Sequence, residues 1–433
     1  MKTVEIIPQK LGGIIEIPPS KSISHRAIIC GALAEGTTVI HNILCSDDIQ
    51  ATCKAMEILG AHIEYKETSE KRYTLTISGI TNLEAKGKTI DCAESGSTLR
   101  FIIPIMALNA KDSTVTGRGR LVKRPMEPYY SIFNQLKIHY KHEKEGQDLP
   151  LTFSGKLQSG IFQLKGEISS QFITGLLLAL PLIQGDSVIE MITPLESKPY
   201  VDITLDMMKK FGVSIENFNY EKFVIKGNQY YKACECCVEG DYSQGAFWLV
   251  GGILGKKTVC KDLLKDSKQG DKAIVDIIKK MNGIISNVQN VYTTEPCKTK
   301  GRIIDVSQYP DLVPILAVLS ALSDGKTEII NAARLRYKES DRLMAMTEAL
   351  TILGAKITEH KTGLTIEGTM CLKGGKVDSH NDHRIAMAIA IASFACSDPV
   401  TIIGSECVRK SYPDFWKDFK KMGGIINEFD LGE

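Results

Sequence analysis

Basic side chains stand at the first turns of several apolar helices along this chain, which is where a cation is least favoured. Lys21 and Arg26 follow Ser20, Arg100 follows Ser95-Gly96-Ser97, and Arg384 follows Asp382-His383. Serine and aspartate at such openings have a plain role as N-caps for amide groups that otherwise lack partners. A lysine or arginine there meets the positive end of the helix dipole. An anion that accepts bonds from the amides and the cations together removes the conflict, so these openings read as sites for phosphate or carboxylate. Several of them facing one cleft would bind substrates carrying more than one such group. The run Arg334-Leu335-Arg336-Tyr337-Lys338-Glu339-Ser340-Asp341-Arg342 concentrates bases and acids just before a helix beginning near Leu343. Such a run is ordinarily a solvated charged face. A carboxylate held among cations also suits proton transfer beside an anionic substrate, and that is the reading favoured here. Arg118, Arg120, Lys123 and Arg124 form a second basic loop, which by itself means surface charge.

The elements that must position these residues recur along the chain. Six openings lead into helices rich in Ala, Leu and Ile: those at Ser20, Ser95, Ser169-Ser170-Gln171, Gly240-Asp241-Tyr242-Ser243, Asp311-Leu312-Val313-Pro314 and Asp382. Helices apolar on most faces belong inside a domain. Between them lies a second pattern, an amphipathic helix ending in a large apolar residue and glycine, then a strand, a polar turn and another strand. It reads Met56-Glu57-Ile58-Leu59-Gly60, then Met208-Lys209-Lys210-Phe211-Gly212, then Leu350-Thr351-Ile352-Leu353-Gly354. Weaker copies end near Gly283 and Gly423, and Ile132 to Tyr140 reads as a sixth without the glycine. The copies lie roughly 70 to 77 residues apart, long enough for a small α/β unit. Six units make two domains of three, with helices inside and sheets outside.

Length agrees, since 433 residues exceed what one core usually serves. Lysine and arginine (53) nearly balance aspartate and glutamate (51), which argues against a general nucleic-acid footprint. The stretch Met1 to Lys10 lacks the order of a signal peptide, and the apolar run Leu176 to Ile183 is too short to span a bilayer. A cytoplasmic protein without membrane contact is expected. Twelve cysteines without a regular framework read as buried free thiols, and Cys234, Cys236 and Cys237 match no zinc spacing.

Five motifs, in this order, closely resemble the 5-enolpyruvylshikimate-3-phosphate synthase family over essentially the whole chain. They are Pro19-Ser20-Lys21-Ser22-Ile23-Ser24-His25-Arg26, Arg124-Pro125-Met126, Ser169-Ser170-Gln171-Phe172, Lys338-Glu339-Ser340-Asp341-Arg342 and Asp382-His383-Arg384-Ile385-Ala386-Met387. The resemblance implies an inside-out α/β barrel in two domains, each of three βαβαββ units, joined by two chain crossings. Residues 21–239 would form the domain on the shikimate 3-phosphate side, and 1–20 with 240–433 the domain closing over the cleft. The implied reaction adds the acceptor's 5-hydroxyl to C2 of phosphoenolpyruvate while C3 gains a proton, then expels phosphate. No metal or organic cofactor is implied, and the expected state is a monomer acting on small molecules. By motif, Lys21, Ser22, Arg26, Ser169, Ser170, Gln171, Ser197, Tyr200, Asp311 and Lys338 would hold shikimate 3-phosphate. Lys21, Gly96, Arg124, Gln171, Arg342, Arg384 and Lys410 would surround phosphoenolpyruvate. Asp311 would receive the hydroxyl proton, and Glu339 or Lys21 would exchange the proton at C3. The chain departs from the family in Glu94-Ser95-Gly96-Ser97, where an amide is common at the first position. Arg334 and Leu335 also differ, and neither is given a role.

Two other readings compete. The enolpyruvyl transferase acting on UDP-N-acetylglucosamine shares fold and donor but carries a loop cysteine, and residues 112–126 contain none. A non-catalytic anion-binding module would not need Asp311 and Glu339.

Overall fold

The computed structural model describes residues 2–69 and 72–430. They fall into two compact units: Lys21–Val238, and the chain through Ser20 together with Glu239 onward. Each unit has its own hydrophobic core.

In the unit Lys21–Val238, the helices are α1 (Lys21–Leu33), α2 (Asp47–Ile58), α3 (Gly96–Met106), α4 (Glu127–Gln135), α5 (Ser170–Ala179) and α6 (Lys198–Lys210). Alternate helices bury different amounts. α1, α3 and α5 bury nearly every residue, while α2, α4 and α6 keep a polar face in water. The difference follows from composition, because Ile, Leu, Ala and Gly run around the whole circumference of the inner three. Close approach needs small residues as well. A Cβ on Gly175 of α5 would collide with Arg100 O and Tyr129 Oη, so glycine there allows α5 to lie against α3. The strand Thr89–Asp91 runs parallel to Ala110–Thr116 with α3 between them in sequence; α4 and His139–His142 follow, and then Leu151–Gly155 inserts antiparallel between Ala110–Thr116 and His139–His142. That is one βαβαββ unit. Thr37–Leu44 takes its parallel neighbour from Glu235–Cys237, so the last strand of this unit completes its first sheet.

The second unit repeats the plan with α7 (Tyr242–Leu254), α8 (Ala273–Lys280), α9 (Val313–Ala321), α10 (Arg342–Ile352), α11 (His383–Ala392) and α12 (Phe415–Lys421). α7, α9 and α11 are the buried three. The first residues of the chain supply two of its strands. Gly13–Glu16 pairs parallel with Thr258–Lys261, and Lys2–Ile7 lies between Val400–Ile403 and Ile425–Asp430, antiparallel to both. Among the described residues there are six four-stranded sheets, three in each unit, all with one parallel and two antiparallel pairings. The expected arrangement of helices inside and sheets outside holds within each unit. Strand His62–Ser69, for example, buries Ile63 alone.

The repeated helix ends have a common geometry. Gly60, Gly212, Gly354 and Gly423 have φ of 112°, 82°, 83° and 101°, the left-handed region a C-cap glycine supplies without strain. Where the glycine is missing or shifted, another residue takes the position: Lys137 at φ 55° and Asn282 at φ 64°. The cysteine reading needs correction. All twelve are free, but only Cys30, Cys53, Cys92, Cys260 and Cys407 are buried; Cys237 and Cys371 are exposed and the other five half-buried, because several fall in short strands and loops at the surface of their units. No helix of the described residues is long and apolar enough to cross a membrane.

Candidate functional site

Within Lys21–Val238, helix starts gather two sets of side chains. Lys21, the first residue of α1, donates its Nζ to Asp48 Oδ2 at 2.7 Å, and both side chains are largely buried. The starts of α3 and α5, far apart in sequence, meet each other. Ser95 caps α3 by accepting from Thr98 N, and Ser169 caps α5 by accepting from Gln171 N. Gln171 Oε1 takes Arg100 Nη1 at 2.6 Å, while its Nε2 donates to Ser97 Oγ at 3.0 Å. Arg124 follows the 3-10 turn Gly119–Lys123, and its Nη1 lies 2.5 Å from where a Cβ on Gly96 would stand. Gly96, Arg100, Arg124 and Gln171 thus lie together with cations near a helix N-terminus, an arrangement suited to an anion.

The second set surrounds Arg26. Its Nη1 donates to Ser22 O at 2.7 Å, Nε to Thr204 Oγ1 at 2.7 Å, and Nη2 to Tyr200 O at 3.0 Å. The guanidinium therefore ties α1 to α6. Burial pushes it down to about 10. Ser197, just ahead of α6, has φ 55°, an uncommon conformation for a residue with a Cβ, and its carbonyl accepts from Tyr200 N at 3.0 Å. Ser170 is buried in the first turn of α5. Of the basic loop, Arg124 is buried, whereas Arg118 is exposed and paired with Asp91 at 3.3 Å.

In the second unit, the centre of the assigned residues is Arg342, fully buried at the start of α10. It meets three carboxylates. Nε lies 2.7 Å from Asp382 Oδ2, Nη1 2.9 Å from Asp311 Oδ1, and Nη2 2.8 Å from Glu339 Oε2. Asp311 also takes Lys338 Nζ at 3.2 Å and Arg384 Nη2 at 3.1 Å. Burial alone would raise Asp311, but Arg384, then Lys338 and Arg342, hold it well below the usual carboxylate range. Burial lowers Lys338, with Asp311 opposing. Lys410 Nζ donates to Asn381 O at 2.7 Å, one residue before the Asp382 cap of α11. This unit accordingly gathers Asp311, Lys338, Glu339, Arg342, Arg384 and Lys410 around one patch. Arg336 does not join it, because Glu359 and Asp341 hold it at 2.7 and 2.9 Å.

One opening behaves differently from its sequence reading. Asp311 caps no helix; it sits in the 3-10 turn Pro310–Leu312, where its carboxylate is drawn to the cations. Sequence reasoning left three acids unassigned. Asp48 partners Lys21, Asp382 both caps α11 and grips Arg342, and Asp271 lies within the electrostatic reach of Asp311 and Arg384. The cap position marked Asp382 in the sequence; nothing comparable marked the other two. Among the described residues no cluster of three or more His, Cys, Asp and Glu is placed to hold a metal ion.

The family model described as EPSP synthase (3-phosphoshikimate 1-carboxyvinyltransferase) matches residues 6–419. Proteins named 3-phosphoshikimate 1-carboxyvinyltransferase from Clostridium kluyveri and Clostridium novyi are 53% and 55% identical to this chain, in each case over all of both proteins. A solved EPSP synthase structure from Acinetobacter baumannii is 27% identical, with a TM-score of 0.81 over 99% of this chain and 100% of that one.

Proposed function

The chain belongs to the EPSP synthase family and has its two-domain inside-out α/β fold, and we propose how its residues divide the work of that family's reaction. It is a transferase that moves the 1-carboxyvinyl group of phosphoenolpyruvate onto the 5-hydroxyl of shikimate 3-phosphate, releasing phosphate, a step of aromatic amino-acid biosynthesis. The acceptor's ligands are Lys21, Ser22, Arg26, Ser169, Ser170, Gln171, Ser197, Tyr200, Asp311 and Lys338. Phosphoenolpyruvate is held by Lys21, Gly96, Arg124, Gln171, Arg342, Arg384 and Lys410. Residues 21–239 serve chiefly the acceptor, with 1–20 and 240–433 as the second domain. The protein works as a cytoplasmic monomer on small molecules alone, without nucleic acid or membrane.

The observation that supports this most is the ionised Asp311 among three cations. A carboxylate so stabilised is a weak base until something shares its partners. An incoming phosphate or carboxylate does so, drawing charge from Arg384 and Lys338, and Asp311 then takes the hydroxyl proton as the C–O bond forms. Lysine and arginine side chains around both substrates offset the repulsion between two polyanions and the charge that develops in the intermediate. Glu339 or Lys21 delivers the proton to C3 and removes one as phosphate leaves.

Because C3 passes through a methyl group, product made in deuterated water should carry deuterium in its methylene. Glu339→Gln keeps the oxygen that accepts from Arg342, so it should bind shikimate 3-phosphate normally while turnover falls about a hundredfold. Transfer without deuterium uptake, or a variant turning over like the parent, would contradict the assignment.

A further inference from the structure

Asp271 belongs to neither set of assigned residues, yet it is buried where the charges of Asp311 and Arg384 act on it. It lies in the 3-10 turn Gly270–Lys272, immediately before α8, and is 3% exposed. Its Oδ2 accepts from Ser243 Oγ in the first turn of α7. Its Oδ1 is buried without a hydrogen-bond partner. Among the described residues no base pairs with it. The cation whose charge acts on it, Arg384, places Nη2 on Asp311 at 3.1 Å.

The remaining charges around it are few. Asp241, the N-cap of α7, adds a second negative neighbour. Gln269 is committed to Glu239 and to Gly240 O at 2.7 and 2.8 Å. Lys272 of the same turn donates to Lys265 O at 2.6 Å. α8 turns Ile274 and Val275 inward, and Asp276, Lys279 and Lys280 face water. A buried carboxyl with one hydroxyl donor, no cation of its own and two acids nearby keeps its proton more readily than in water. Burial, then the charge of Asp311, pushes Asp271 up to about 7 against the pull of Arg384.

We propose that Asp271 is a positioning residue for the phosphoenolpyruvate side of the reaction, acting through Arg384 and Asp311. Protonated, it leaves the whole charge of Arg384 to Asp311 and the anionic substrate. When its proton passes to solvent, the added negative charge weakens the hold of Arg384 on that substrate. The inference rests on the assignment of Arg384 to phosphoenolpyruvate given above.

The test uses the full-length enzyme with aspartate carboxyls labelled with carbon-13, followed by NMR from about pH 5.5 to 8.5. One resonance should titrate near neutrality and be missing in Asp271→Asn, whose carbonyl still accepts from Ser243. In Ser243→Ala the same resonance should titrate at higher pH, because the carboxylate loses its only hydroxyl donor; this variant decides the matter if the first does not fold. Between about pH 6 and 8 the KM for phosphoenolpyruvate should rise about fivefold more in the parent than in Asp271→Asn, with kcat changing alike in both. Titration of the substrate itself cancels in that comparison. A merely structural Asp271 would alter stability or kcat without changing the shape of either curve. An Asp271 already ionised at the acid end, or KM profiles of the same shape in both proteins, overturns the proposal. Absence of any transfer would count against the reaction instead, and the resonance would then decide the proposal alone.

Discussion

Gly96 shows at the scale of one residue how little room Arg124, Arg100 and Gln171 leave around the start of α3. An added Cβ would stand 2.5 Å from Arg124 Nη1, 3.4 Å from Arg100 Nη1 and 3.5 Å from Gln171 Oε1. Something must shift, and the far end of the long Arg124 side chain shifts more easily than backbone would. Gly96→Ala should therefore raise the KM for phosphoenolpyruvate about tenfold while calorimetry shows shikimate 3-phosphate binding within about twofold of the parent, since one charge-assisted bond to the donor is lost. Equal losses for both ligands would contradict the division of ligands. Residues of this kind were legible because they break a local rule: Lys21 and Arg384 stand in first turns against the helix dipole, with Asp48 and Asp311 as partners, whereas Arg26 and Arg100 lie one turn further in than the sequence reading put them. Arg336 and Lys338 look alike in sequence, two residues apart. What separates them is tertiary: Glu359, from a distant strand, takes one, and Asp311 takes the other. Asp271 broke no local rule, so its burial within reach of the charge of Asp311 was not readable.

At the scale of elements, the repeated helix end is the clearest agreement between sequence and structure. A glycine after a large apolar residue marked four copies, and each has positive φ. The copy without glycine is informative because it holds the same backbone at extra cost. Lys137 is exposed at φ 55°, so Lys137→Gly should raise unfolding stability by about 0.5–1 kcal/mol, while Gly212→Ala should lower it by about 1 kcal/mol or more. Denaturant unfolding would check both; a destabilised Lys137→Gly would mean that its side chain contributes contacts worth more than the strain. The inner helices were equally legible from their uniform apolar character. The strand pairing was not, because register depends on partners far along the chain, as with Glu235–Cys237 beside Thr37–Leu44.

For the whole molecule, the two units differ in how the chain builds them. Lys21–Val238 is continuous, carries its own core and completes its first sheet with its own last strand. Expressed alone it should fold, with one cooperative thermal transition. The other unit depends on the first residues of the chain: Lys2–Ile7 is an inner strand of one sheet and Gly13–Glu16 an edge of another. Residues 239–433 without 1–20 should accordingly fail to show cooperative unfolding, and success there would mean the inner strand is dispensable. That the chain makes two cores followed from length and repeats, whereas the use of its first residues in the later unit came from the resemblance. The central claim is the reaction and its acceptor. Phosphate release from phosphoenolpyruvate should be rapid with shikimate 3-phosphate and absent with UDP-N-acetylglucosamine; release with the nucleotide sugar alone, or with neither, would contradict the account.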